Sequence, residues 1–131
     1  MITEDYVSFE TAKLLKEKGF DESTSMVYMS YGDLCKLHRY DSIRNSNYND
    51  ITKNYFEYTA PTLNVACKWL RETYHLHILF EISDPSQITP KYYFIVWDTS
   101  TQNSYMVDLF DSYEESCEEA IKYCLENLVK V

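Results

Sequence analysis

Between Pro61 and Ile82 the hydrophobic period of this chain changes from that of a helix to that of a strand, with no loop between. Leu63, Ala66, Trp69 and Leu70 recur at three- and four-residue spacing, which predicts one buried face of a helix. Pro61 suits the first turn, where the N–H it lacks has no intrahelical partner. After Tyr74 the spacing falls to two. Leu76, Ile78, Phe80 and Ile82 take one side of a strand, and His75, His77, Leu79 and Glu81 take the other. A helix that feeds a half-buried strand needs further layers to pack on, and the rest of the chain must supply them.

Two more helices have clear ends. Ser8 stands as N-cap before a stripe of Phe9, Ala12 and Leu15. Gly19 ends that helix in the left-handed conformation, with Phe20 placed to fold back on Leu15 as in a Schellman motif. Near the C-terminus, Cys117, Ala120, Ile121, Cys124, Leu125 and Leu128 give the cleanest helical period in the chain. Asp111 and Ser112 each precede a glutamate by three residues, Glu114 and Glu115, so two capping boxes are available.

Strands fill much of the remainder. SMVYMSY and LCKLHRY flank Gly32-Asp33, a two-residue loop of the type II′ kind. KYYFIVWD and SYMVDLF continue from the central strand as an antiparallel meander. Residues 41–60 show no sustained period and read as the longest irregular stretch, carrying Tyr48, Tyr55, Phe56 and Tyr58. The expected fold class is α+β, one domain over residues 1–131. Its antiparallel sheet of about five strands carries helices from the N-terminus, the centre and the C-terminus on one face. One strand complicates that picture. Residues 91–97 are apolar on both faces, so either the segment 41–60 or a partner must cover the second.

The chain carries a formal net charge of −9, of which residues 61–131 hold −6. Such a surface repels phosphate backbones and anionic lipid, which disfavours direct nucleic-acid binding and membrane association. The opening MITEDYVSFE has no basic segment followed by an apolar run, and no stretch reaches the ~20 apolar residues of a membrane span. Cys35, Cys67, Cys117 and Cys124 include no CxxC pair, and the last three fall on helical apolar faces. Reduced, structural thiols in a cytoplasmic protein are expected, with no cofactor.

Candidate chemistry is sparse. His75, His77 and Glu81 share one strand face, where alternate positions can present metal ligands, but no further close ligand is visible and a solvated outer face is the better reading. Cys35 and His38 have the residue types of a nucleophile and base, but three residues apart on a strand they point to opposite faces. Asp108, Asp111, Glu114, Glu115, Glu118 and Glu119 form an acidic run without an intervening base, read as a solvated helix face or as a docking surface for a basic protein. The 13 tyrosines are strand residues by habit and interface anchors by chemistry.

The stretches VSFETAKLLKEKGFDE (7–22), APTLNVACKWLRETYHLHI (60–78) and SYEESCEEAIKYCLENL (112–128) resemble a family of small uncharacterised proteins of bacteriophages and integrated mobile elements of gut bacteria. The resemblance implies an intracellular protein of such an element and carries over no catalytic or binding residue. The expected function is therefore a non-enzymatic protein-interaction module, monomeric or homodimeric. The alternative is a small-molecule-binding or hydrolytic domain with a site made by the 41–60 loop and the outer sheet face.

Overall fold

The structure, a computed structural model, describes residues 2–44 and 49–130. Its contacts divide into two compact units, one running to Thr62 and the other from Leu63 to Lys130. The fold class is α+β, but the strands form two antiparallel sheets rather than one sheet of about five.

In the first unit, helix α1 (Phe9–Glu17) begins where the Ser8 hydroxyl accepts the Thr11 N–H. It ends as the Gly-Phe pair requires. Phe20 N–H donates to the Leu15 carbonyl at 2.8 Å and Gly19 N–H to the Lys16 carbonyl at 3.2 Å, with Gly19 at φ +96°. No atom lies within 4 Å of a Cβ built on Gly19, so the glycine is there for its backbone angle and not for space. Strands β1 (Thr24–Tyr31) and β2 (Leu34–Arg44) form the expected hairpin, with Tyr31 opposite Leu34 and Gly32 at φ +51° in the loop.

The segment 41–60 departs from expectation. Strand β2 continues to Arg44, Asn49–Asp50 forms a short β3, and Ile51–Lys53 makes one 3-10 turn. Asn54 then reverses the chain at φ 52° into β4 (Tyr55–Thr59), which pairs with β1. Tyr48 lies outside the described residues. The sheet order is β2-β1-β4-β3, with α1 lying against β4. Phe9 meets Tyr28 and Tyr58 edge-on at 5.6 and 5.5 Å, which assigns the face of the hairpin that the sequence left open.

The second unit contains the period switch. Helix α2 (Leu63–Tyr74) stops at His75, whose left-handed φ of 58° turns the chain at once into β5 (Leu76–Ile82). Strands β6 (Tyr92–Asp98) and β7 (Asn103–Phe110) complete the meander, and helix α3 (Tyr113–Asn127) returns across β6 and β5. Leu70, Leu76, Phe94 and Val96 are buried with Ala120, Ile121, Cys124 and Leu125 of α3. At the head of α3 the Ser112 hydroxyl, not Asp111, accepts the Glu115 N–H. The helices of the centre and C-terminus thus serve the second sheet, and the N-terminal helix serves the first.

Trp69 is not on the buried stripe. Leu63, Ala66 and Leu70 are buried, whereas Trp69 is half-buried and sits edge-on to Tyr74 at 5.3 Å. Adjacent helical positions differ by about 100°, so Trp69 and Leu70 cannot both point at the sheet. Leu70→Ala should therefore cost roughly 2–5 kcal/mol as a core truncation. Trp69→Ala should cost clearly less. Urea midpoints of the two variants check this ordering, and a larger loss at Trp69 would return the indole to the core.

Candidate functional site

The three-stranded sheet has one face under the helices, and its outer face carries exposed apolar side chains in a defined geometry. Strand register builds it in rows. Leu79, Ile95 and Met106 lie side by side across β5, β6 and β7. His77, Trp97 and Ser104 form the row on one flank, and Glu81, Tyr93 and Asp108 the row on the other. The central row stays open to solvent at its edges, with Leu79 at 49% and Met106 at 67% exposure, and Trp97 beside it at 42%. Residues 49–59 belong to strands and a turn of the first sheet rather than to an irregular loop.

A bulge in the β6–β7 pairing near Tyr92 and Tyr93 adds Leu109, 52% exposed, beside Asp108. The result is a concavity of about 260 Å³ lined by Ser83, Tyr93, Met106, Asp108 and Leu109. Its wall is apolar on two sides, aromatic on a third, and carries one carboxylate.

The histidine–glutamate cluster does not converge. His77 and Glu81 share the outer face, but Leu79 stands between them, and four residues of strand separate them by about 13 Å. His75 belongs to the helix–strand junction, where its carbonyl accepts the Thr99 N–H and hydroxyl. Among the described residues no three His, Cys, Asp or Glu side chains stand close enough to hold a metal ion. Cys35 and His38 sit opposite Ser30 and Val27 on β2 and do not meet.

The acidic run is divided by the fold. Asp108 belongs to the outer face. Asp111 pairs with Lys91 at 2.8 Å, an exposed contact whose hydrogen bond and charge hold the carboxyl below its usual range and raise the lysine. Glu114 and Glu115 occupy the exposed first turn of α3, where negative charge suits the helix dipole. Glu118 and Glu119 are half-buried, and Glu119 lines a second concavity of about 200 Å³ with Phe94, Val107, Phe110 and Tyr123. The six acids are not one surface.

The first unit holds a polar cluster that periodicity did not reveal. Glu57 on β4 is only 7% exposed and accepts the Tyr40 hydroxyl at 3.1 Å. Lys16 of α1 donates to Asn49 and to the Glu57 carbonyl, with its ammonium 4.8 Å from the centre of the Tyr58 ring. Burial pushes the lysine down, and the Glu57 charge opposes that shift. Tyr55 is pushed up to about 12, first by burial and then by the Glu57 carboxylate beside it. The lone glutamate in an otherwise aromatic strand was the available signal. Every polar member has a partner, so the cluster reads as a satisfied charge holding α1 to β4.

Tyr55 gives this cluster a pH signature. Its folded pKa lies above the ordinary value near 10, so its contribution to stability is intact below about pH 10 and is lost as pH rises towards about 12. Subtracting the alkaline ultraviolet titration of Tyr55→Phe from that of the parent should isolate one late-ionising phenol, and Glu57→Gln should bring it down. A difference titration centred at the ordinary value would refute the arrangement.

No helix among the described residues is long and apolar enough to cross a membrane. Comparison with protein-family models, with curated proteins and with solved structures returned no match.

Proposed function

We propose that this protein is a non-enzymatic protein-interaction module of phage or mobile-element origin, acting in the bacterial cytoplasm through the outer face of the β5-β6-β7 sheet. The observation that carries this reading is the row Leu79–Ile95–Met106 with exposed Trp97 and Leu109 around it. Exposed apolar side chains contiguous on a rigid sheet are what interface cores are made of, whereas scattered ones need no explanation.

The charge supports a basic partner. Glu81 and Asp108 rim one side of the face, on a half-chain of net charge −6. A basic protein suits such a rim, and like-charged partners are repelled. The concavity between Met106, Leu109, Tyr93 and Asp108 fits one arginine: its stem along the apolar wall, its guanidinium on the carboxylate and the tyrosine ring. One anchored side chain surrounded by apolar contact is the usual anatomy of a binding hot spot.

The test compares two surfaces. Leu79→Glu with Met106→Glu should leave the fold intact, because both side chains are exposed, and should abolish capture of a basic partner from host-cell lysate. Glu114→Lys with Glu115→Lys should leave that capture largely unchanged. Asp108→Asn alone should weaken binding about 10-fold or more, as loss of a charge-assisted contact at an anchor does. Capture that survives the face substitutions and fails with the helix substitutions would move the docking surface to α3.

A further inference from the structure

The second unit brings together two cysteines that lie fifty positions apart in sequence. Cys67 of α2 and Cys117 of α3 place their sulfurs 3.7 Å apart where the two helices meet, in hydrogen-bond contact. Cys117 is 2% exposed, and Cys67 is partly open to solvent. Cys124, on the next turns of α3, is fully buried, and burial pushes its thiol up to about 12. Cys35 stands alone and exposed on β2 of the first unit. Four free thiols therefore occupy three different environments, and two of them are neighbours.

We propose that Cys67 and Cys117 form a reversible dithiol, with Cys67 as the attacking thiol towards low-molecular-weight disulfides and Cys117 as the resolving thiol. A bonded pair of sulfurs lies about 2 Å apart, so closure needs an approach of somewhat under 2 Å, within reach of side-chain rotation on two packed helices.

The roles follow from the surroundings. Cys67 is the one of the pair that a solvent-borne disulfide can reach. The Cys117 S–H hydrogen bond favours its thiolate, and the Arg71 charge, one helical turn further on, adds to this against the cost of burial. Cys117 is pushed up, chiefly by the hydrogen bond to Cys67 and then by burial and the Cys67 charge. The two causes that come from Cys67 vanish once it is consumed, and burial with the Glu118 and Glu114 charges remains.

The step balances as thiol–disulfide exchange. Cys67 gives up its proton to solvent, and its thiolate attacks one sulfur of oxidised glutathione. The Cys67–glutathione bond forms, the glutathione disulfide breaks, and one glutathione thiolate leaves and takes up a proton. Cys117 then attacks the Cys67 sulfur, losing its proton to the second departing glutathione. The two protein thiols are oxidised to one disulfide, and one glutathione disulfide is reduced to two thiols.

A Cys35→Ser background removes the exposed thiol that would form mixed disulfides by itself. This protein, folded, is equilibrated with glutathione buffers of increasing oxidised fraction and then acid-quenched. Intact mass should fall by about 2 Da, and peptide mapping should join the Cys67 and Cys117 peptides. The melting temperature should rise, because the bond closes a fifty-residue loop of the unfolded chain. Adding Cys117→Ser should trap a stable single glutathione adduct on Cys67, and Cys67→Ser should give neither bond nor adduct. Because Cys117 is buried, the adduct in its variant is scored only with a folded circular-dichroism spectrum; the Cys67→Ser result and the parent mass stand without it. Retention of both thiols in the most oxidising buffer, a bond involving Cys124, or a bond formed only in denaturant would each overturn the proposal.

Discussion

Phe94 and Val96 are almost wholly removed from water on one side of β6, and the helices α2 and α3 can cover only that side. The strand nevertheless carries Tyr93, Ile95 and Trp97 on the other. A chain that needed only a stable half-buried sheet would place polar residues there, because each large apolar side chain left in water forgoes roughly 1.5–3 kcal/mol of burial. The neighbouring strands repeat the choice at Leu79 and Met106, in register with Ile95. Register makes the pattern cooperative: a shift of one residue would exchange the two faces, so the exposed row is tied to the buried one.

Much of this was legible where the chemistry is local. Ser8, Gly19 and Phe20 dictate both ends of α1 from within a dozen residues, and each takes the expected backbone contact. The Gly32-Asp33 hairpin and the period switch after Tyr74 were readable for the same reason. The left-handed turn at His75 was not, since histidine has no strong preference for it; the adjacency of the two periods was the only clue. Two-unit organisation was also hidden. Hydrophobic period tells which face of a strand is buried but not which other strand it pairs with, so seven strands in two sheets and five in one look alike along the chain.

The segment 41–60 failed for a different reason. Strand β4 buries Glu57 and Tyr58 in succession, one on each face, so no alternation of apolar and polar residues survives. Burial of Glu57 is satisfied by Tyr40 of β2 and Lys16 of α1, from two distant points in the sequence, together with Tyr55 of its own strand. A buried carboxylate without such partners would cost several kcal/mol, and nothing in β4 itself announces that Tyr40 and Lys16 will arrive. The acidic run failed in the opposite sense. It is contiguous in sequence, but a strand end, an ion pair and a helix send its members to different surroundings, so proximity along the chain exaggerated the site.

The two halves of the second sheet also differ in what they can tolerate. Beneath the helices, any change at Leu70, Phe94 or Ile121 must be absorbed by a packed interior, where a lost methylene leaves a cavity. On the outer face, Leu79, Met106 and Leu109 touch solvent and can change without disturbing that interior. Side chains with this freedom drift towards polarity unless something else holds them apolar, since hydration is favourable and exposed apolar area promotes aggregation. A net charge of −9 counters aggregation by mutual repulsion, which lets an apolar surface stay exposed. Acidity and an exposed apolar row thus act in opposite directions on association: the row favours it, and the charge opposes it between like copies.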